Sequence, residues 1–155
     1  MHAKHWMRKT AAVWLFASAA VAAAPPPETR IVKAPHAFDA AVQRTEQAIK
    51  ANGMGLVASA SASRGAAARG VKIPGNVVLM VFRNDYAVRM LAASVPAGIE
   101  APLRIYLSEE PDGTTAIRYQ RPSAVFAPYG NSALDAMAKE LDPVFDKIVR
   151  DAAGQ

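Results

Sequence analysis

The side chains most suited to chemistry lie in two short segments that are predicted to pair as a β-hairpin. Leu103–Glu110 alternates apolar and polar residues, and Thr114–Gln120 follows after the turn Pro111–Gly113. Such a hairpin places four polar side chains on one face: Arg104, Tyr106, Arg118 and Gln120. Because a guanidinium recognises carboxylate or phosphate through its planar fork, the spacing predicts an anion-binding face.

This prediction depends on the register of the hairpin. A three-residue loop, with Gly113 in the left-handed conformation, pairs Leu107 with Ile117 and keeps the apolar side chains on one face. A two-residue Asp-Gly loop would instead place Leu107 opposite Arg118. We therefore predict the three-residue loop.

The predicted register sets Tyr106 opposite Arg118 and Arg104 opposite Gln120, close enough for a guanidinium to lie over the tyrosine ring. Two other interpretations of this face remain open. It is either simply solvated or buried between two copies of the chain.

A second candidate site follows the apolar run Val77–Phe82, which is typical of a strand covered on both faces. Asn84 is predicted to cap a helix over residues 85–94, and Asp85 lies in the first turn, where it complements the helix dipole. Ala87, Met90 and Leu91 are expected on the inner face of this helix. The corner formed by Arg83, Asn84, Asp85 and Tyr86 is therefore an alternative ligand site.

The remaining residues give little support for catalysis or for a metal site. No cysteine is present, and the three histidines form no zinc-binding pattern. We expect a solvated turn at the acidic residues Glu109, Glu110 and Asp112. We expect a surface loop at Arg64 and Arg69, and a second interpretation is that this loop forms a nest for an anion. We predict no catalytic residue, no metal ligand and no cofactor.

The elements that must position these residues are predicted from periodicity and turn signals. A strand over Thr29–Lys33 precedes a helix that begins at Phe38 and ends at Asn52-Gly53. A weaker strand is expected over Leu56–Ser61.

The chain is predicted to close with one long helix after an irregular stretch over Arg121–Gly130. Asn131 or Ser132 is the expected cap, and one apolar stripe holds Leu134, Met137, Ala138, Leu141, Phe145 and Ile148. Because the stripe keeps its phase across Pro143, we predict a kink there with Asp142 as a local cap.

The N-terminal residues resemble a secretory signal peptide. Three basic residues precede an apolar run, and Ala20-Val21-Ala22 fits a cleavage site. Because this segment holds three of the 18 basic residues and none of the 13 acidic ones, its removal lowers the net charge from +5 to +2. We expect a signal peptide over 1–22, a Pro-rich spacer over 23–30 and one domain over 31–153. We expect the processed protein to lie in the periplasm or to be secreted. An uncleaved membrane anchor is the alternative.

Three segments together resemble the bacterial family called domain of unknown function 302. They are Leu79–Asp85 (LMVFRND), Ala101–Glu109 (APLRIYLSE) and Asp112–Pro122 (DGTTAIRYQRP). The resemblance spans about residues 38–149 and implies an α+β fold, with one antiparallel sheet and helices on one face, similar to one half of the TATA-binding protein. Members carry Phe-Gly-Asn-Pro where this chain has Phe82–Asp85, and many carry an Asp-His pair that Ala58–Ser63 lacks.

These observations favour an exported, non-enzymatic domain that binds a small anionic ligand or a partner through its sheet face. A homodimeric module that uses the same face is the second hypothesis, and an enzyme of unknown reaction is the third. The small net charge after export argues against a nucleic-acid partner, and no membrane span is expected after cleavage.

Overall fold

The computed structural model describes residues 28–155 of the chain. The predicted signal peptide and most of the predicted spacer lie outside the described residues. The first strand begins at Thr29, two residues before the predicted start of the domain.

Five antiparallel strands of this described region form a single sheet in the order β1-β5-β4-β3-β2. Their bounds are Thr29–Ala34 (β1), Gly55–Ala60 (β2), Asn76–Phe82 (β3), Leu103–Glu109 (β4) and Thr115–Gln120 (β5). The hairpin β4–β5 therefore occupies the middle of the sheet, next to the apolar strand β3.

Five α-helices in the same region connect or follow the strands. Their bounds are Phe38–Ala51 (α1), Ala62–Ala67 (α2), Asn84–Ala93 (α3), Pro122–Phe126 (α4) and Ser132–Ala153 (α5). Two 3-10 segments, Val95–Glu100 and Ala127–Tyr129, follow α3 and α4. The predicted α+β class with one antiparallel sheet is confirmed. Within residues 28–155, no helix has the length and apolar character needed to cross a membrane.

The hydrophobic core lies between one face of the sheet and the helices α1 and α5. Every residue of the predicted stripe on α5 is buried: Leu134, Met137, Ala138, Leu141, Phe145 and Ile148. Strands β3 and β4 contribute alternate residues to the same core, among them Leu79, Ile105 and Leu107. The other face of the sheet carries no helix of the described chain across its centre, and we call it the open face.

The long helix begins as predicted, because the Asn131 side chain accepts hydrogen bonds from the backbone N–H groups of Ala133 and Leu134. It continues through Pro143 as one element. The expected local cap at Asp142 is wrong. Its carboxylate instead accepts the backbone N–H of Ser123 at 2.9 Å and the Ser123 hydroxyl at 2.7 Å, and so holds α4 against α5. The stretch over 121–130, predicted as irregular, is therefore largely helical.

Three expectations around β3 and α3 are also wrong. Strand β3 is covered on one face only, since Val78 and Met80 point to the open face and remain half-buried. Helix α3 is capped at Arg83 rather than Asn84, and the Arg83 side chain makes no capping hydrogen bond. Leu91, expected on the inner face, is 45% exposed, whereas Met90 is buried.

Candidate functional site

The hairpin has the predicted register. Leu107 pairs with Ile117 and Tyr106 pairs with Arg118. The Gly113 N–H donates to the Glu110 carbonyl at 3.0 Å, and Gly113 has a φ of 79°, so the turn is the three-residue loop. The turn residues were therefore sufficient to predict which hairpin side chains face outward.

The neighbouring strands extend this polar face with apolar side chains. On one side, Ile31 of β1 lies opposite Arg118. On the other, Val78 and Met80 of β3 lie opposite Tyr106 and Arg104. The open face is thus amphipathic, with cationic groups at its centre and aliphatic side chains on both sides.

A groove with a volume of about 350 Å³ runs over this face. The four hairpin residues predicted as a site, Arg104, Tyr106, Arg118 and Gln120, all line it. The other lining residues are Thr29, Val78, Glu100, Leu103, Tyr119 and Val125. The predicted register therefore identified four residues of one concave surface. It did not indicate the wall formed by Glu100 and Val125, because these residues belong to segments outside the hairpin.

The two arginines of the groove differ in their partners. Arg118 donates from Nη1 to the Ser108 hydroxyl and from Nη2 to Glu110 at 3.1 Å. Its guanidinium is directed toward the turn and does not lie over the Tyr106 ring, although the register would have allowed that contact. Arg104 is exposed, and none of the ion pairs among residues 28–155 includes it.

The acidic residues of the hairpin tip each have a protein donor. Glu109 accepts the Gly75 N–H at 2.7 Å, and Asp112 accepts the Lys33 ammonium at 2.6 Å. The Lys33 and Thr114 hydrogen bonds hold the pKa of Asp112 well below its usual range. These acids therefore link β1 and the start of β3 to the hairpin tip. The prediction that they lie in a merely solvated turn missed these contacts.

The second candidate site, the corner Arg83–Tyr86, is an interlocked surface. The Arg83 guanidinium lies 4.2 Å from the centroid of the Tyr86 ring and donates twice to Asp85, at 2.7 and 3.0 Å. Arg89 also approaches this ring, at 5.4 Å, and donates to both carboxylate oxygens of Glu140. These bonds to arginine lower the pKa of Asp85 and that of Glu140.

Only part of the predicted corner faces a cavity. Arg83 and Tyr86 line an apolar pit of about 30 Å³, whereas Asn84 and Asp85 do not. Sequence reasoning missed Arg89 and Glu140. The i, i+3 spacing of Tyr86 and Arg89 was an available signal for the first, but nothing local indicated Glu140, which lies 51 residues further along.

The other polar groups considered for chemistry, together with His36, are dispersed. Arg64 lies in α2 and Arg69 in the following turn, both exposed. His36 has a buried Nε2 without a hydrogen-bond partner in the described part of the chain, and its carbonyl accepts the Thr115 hydroxyl. Among residues 28–155, no three His, Asp or Glu side chains lie together as metal ligands do.

A polar network on the covered face attaches β5 to α5. Tyr119 donates its hydroxyl to Asp146, and Arg121 donates to the same carboxylate at 3.2 Å. Burial and the bond to Asp146 raise the pKa of the Tyr119 hydroxyl. The network lies behind the groove floor and fixes the position of β5 against the helix.

Comparisons with known proteins identify the family of the chain. The sequence profile of the family "domain of unknown function DUF302" matches residues 30–152. The chain therefore belongs to the DUF302 family, as the sequence motifs indicated. No curated protein matches it.

A solved structure of the same family shares the fold. It is the uncharacterised conserved DUF302 protein from Bacillus stearothermophilus, with a TM-score of 0.73 and 20% sequence identity. The similarity covers 81% of this chain and 98% of that protein. At this identity the likeness establishes the architecture alone.

Proposed function

We propose that this protein is an exported, non-enzymatic binding domain whose groove on the open face holds a small ligand with an anionic group. The observation that carries the proposal is Arg104, an exposed arginine without an ion-pair partner among residues 28–155, in a concave surface. A charged donor in this position is available to a ligand, unlike Arg118, which already bonds to Glu110.

The other groove residues support the same class of ligand. Tyr106 and Gln120 add a ring and an amide next to Arg104, while Val78, Leu103 and Val125 provide apolar surface. Binding sites for small molecules combine a few polar groups with apolar walls in volumes of about 300–1,000 Å³, and this groove is at the small end.

The charge distribution suggests an orientation for the ligand. Glu100 lines the groove and accepts the Tyr129 hydroxyl at 2.9 Å, so an anionic group would avoid it. The anionic end would lie at Arg104, with the neutral part toward Glu100. The lining side chains are mainly hydrogen-bond donors and apolar groups, which suit the binding of a ligand with an anionic and an apolar part.

Native mass spectrometry of the purified protein tests this proposal. We expect the wild type to retain a small molecule that Arg104→Ala loses. The matched control Arg69→Ala removes an exposed arginine outside the groove and keeps the ligand. Both variants should keep the wild-type melting temperature, because an exposed arginine contributes only about 0–0.5 kcal/mol to stability. A wild type without a bound molecule, or the same molecule on Arg104→Ala, contradicts the proposal.

The second candidate function is a homodimer through the open face. Its specific support is Ile31, which is half-exposed and lies opposite Arg118 on the neighbouring strand. If this hypothesis is correct, Ile31→Ser and Arg104→Ala shift the protein toward the monomer, and its melting temperature depends on protein concentration.

Export is proposed from the N-terminal sequence alone. A reporter fused to residues 1–30 is expected outside the cytoplasm, cleaved near Ala22. N-terminal sequencing of a soluble cytoplasmic product that starts at Met1 would contradict export. A membrane-bound product that retains Met1 would support the anchored alternative.

A further inference from the structure

Glu100 is the second charged side chain of the groove that has no ion-pair partner. It lines the groove together with Arg104, and none of the ion pairs among residues 28–155 includes either residue. Two opposite charges on one concave surface are therefore both available to a bound molecule. The proposed function uses only Arg104, and the role of Glu100 remains to be assigned.

Different elements position the two charges. Glu100 ends the 3-10 segment Val95–Glu100, and its Oε1 accepts the Tyr129 hydroxyl at 2.9 Å. Desolvation and this bond raise the pKa of the Tyr129 hydroxyl, so the hydroxyl remains a donor at neutral pH. Arg104 lies on β4. The bond to Tyr129 therefore holds the Glu100 carboxylate independently of Arg104.

One oxygen of the Glu100 carboxylate is still available as an acceptor. Within the described chain, the hydrogen bond to this side chain comes from Tyr129 and ends at Oε1, so Oε2 has no protein donor. A carboxylate only accepts hydrogen bonds, so a ligand group that binds it must carry an O–H or N–H. A charged ammonium would lose its hydration against apolar lining residues such as Leu103 and Val125, whereas a neutral hydroxyl loses less and needs a single acceptor.

The spacing of the two charges limits the length of the ligand. Glu100 and Arg104 are four residues apart, and extended backbone of this length spans at most about 14 Å between Cα atoms. Between the charges and the end of the groove, Tyr106 offers the face of an exposed ring. With a groove volume of about 350 Å³, these dimensions suit a molecule with one ring between two polar groups.

We propose that the ligand of this groove is a small hydroxylated carboxylate, with its carboxylate on Arg104 and its hydroxyl donating to Glu100. The inference rests on the proposed function, because it names the class of ligand for the same groove. Aromatic hydroxy acids are the simplest members of this class, since their ring packs against Tyr106 while their two polar groups point in opposite directions.

Probes that differ only by a hydroxyl test this inference on the purified protein. The pairs are benzoate with para-hydroxybenzoate, and phenylacetate with para-hydroxyphenylacetate, which is longer. NMR titration gives the dissociation constant of each probe. In at least one pair we expect the hydroxyl to lower the dissociation constant about tenfold, because a hydrogen bond to a charged group is stronger than one between neutral groups.

Two variants assign this gain to Glu100. Glu100→Met keeps a long side chain but removes the carboxylate, so the hydroxylated probe and its parent should bind equally. Benzoate itself should bind this variant at least as tightly as the wild type, because an anion near the ligand has been removed. The matched control Tyr129→Phe removes the hydrogen bond to Glu100 but keeps the carboxylate, and should retain the gain.

Three results would overturn the inference and leave the proposed function intact. The first is binding of benzoate and phenylacetate through Arg104 without any gain from the hydroxyl in either pair. The second is a gain that persists in Glu100→Met, or one that Tyr129→Phe abolishes equally. The third is tighter binding of para-(aminomethyl)benzoate than of para-hydroxybenzoate, which would assign a zwitterionic ligand. A series in which no probe binds would contradict the proposed function itself.

Discussion

The groove on the open face and the corner Arg83–Tyr86 both combine arginine with tyrosine, but they differ in what the arginines bind. At the corner, Arg83 binds Asp85 and lies over Tyr86, and Arg89 binds Glu140. In the groove, Arg104 has no ion-pair partner among residues 28–155. The corner pairs its own charges, whereas the groove leaves one that we propose binds a ligand.

This difference shows that residue types alone do not distinguish a binding surface from a structural one. Arg83 at the corner binds Asp85 at the start of the same helix, and the neighbouring Arg89 joins α3 to α5 through Glu140, so that each guanidinium makes bidentate contacts within the molecule. The groove differs in two ways. Its Arg104 has no ion-pair partner in the described chain, and apolar side chains form its walls. The corner is accordingly the weaker candidate for ligand binding.

The largest expected effect compares the two tyrosines. Tyr86 packs against the core and beneath two guanidinium groups, so Tyr86→Ala should destabilise the protein by about 2–3 kcal/mol. Tyr106 is 39% exposed on the groove floor, and Tyr106→Ala should cost only about 0–1 kcal/mol. Urea denaturation measures both. Equal losses of stability would remove the distinction between the two regions.

A smaller effect is expected at the turn that fixes the groove register. Gly113 has a left-handed φ of 79°, and a Cβ added there would meet no heavy atom within 4 Å, so the cost of Gly113→Val comes from the backbone alone. We expect a loss of about 1–2 kcal/mol by thermal or urea denaturation.

Two further variants test whether the positive φ of Gly113 causes this loss of stability. Gly65→Val is the matched control, because Gly65 also has open space around it but no positive φ. Asp112→Ala removes the bonds to Lys33 and Thr114 on the exposed surface and should cost less than Gly113→Val. If Gly113→Val were as neutral as Gly65→Val, the left-handed turn and the register built on it would be in error.

The smallest effect concerns the ion pair between Arg89 and Glu140. A double-mutant cycle should show a favourable coupling at neutral pH that disappears as the pH falls. The folded-state pKa of Glu140 is lowered by Arg89, so its contribution is present above the ordinary carboxyl pKa and is lost on protonation in acid. A coupling that persists unchanged at about pH 2 would show that the contact is not electrostatic.

Periodicity and turn chemistry were sufficient to predict most of the individual strands and helices, whereas the single antiparallel sheet was implied by the family resemblance. The apolar stripe of α5 and the Asn131 cap follow from spacing and residue type, and Gly113 determines the hairpin register. These features are local, since each depends on residues close together in sequence. The four groove residues of the hairpin were predicted for the same reason.

The predictions from sequence were wrong where contacts between distant segments determine the position of a side chain. Leu91 fits the inner face of an amphipathic helix, yet the 3-10 segment after α3 draws Ala97 into the core and leaves Leu91 at the surface. Asp142 caps α4 instead of its own helix, because Ser123 lies beside it. The register also allowed Arg118 to lie over Tyr106, but it bonds to Glu110, since a carboxylate at the strand end offers a stronger contact.

The central claim, that Arg104 receives an anionic group in the groove, is tested most directly by NMR of the arginine side chains. Benzoate is a suitable probe, because its carboxylate fits Arg104 and its ring fits the surface near Tyr106 and Val78. On titration, the Nε–Hε resonance of Arg104 should shift saturably, whereas that of Arg83 stays in place. A saturable shift at Arg83 without one at Arg104, or no saturable shift at either, would contradict the account.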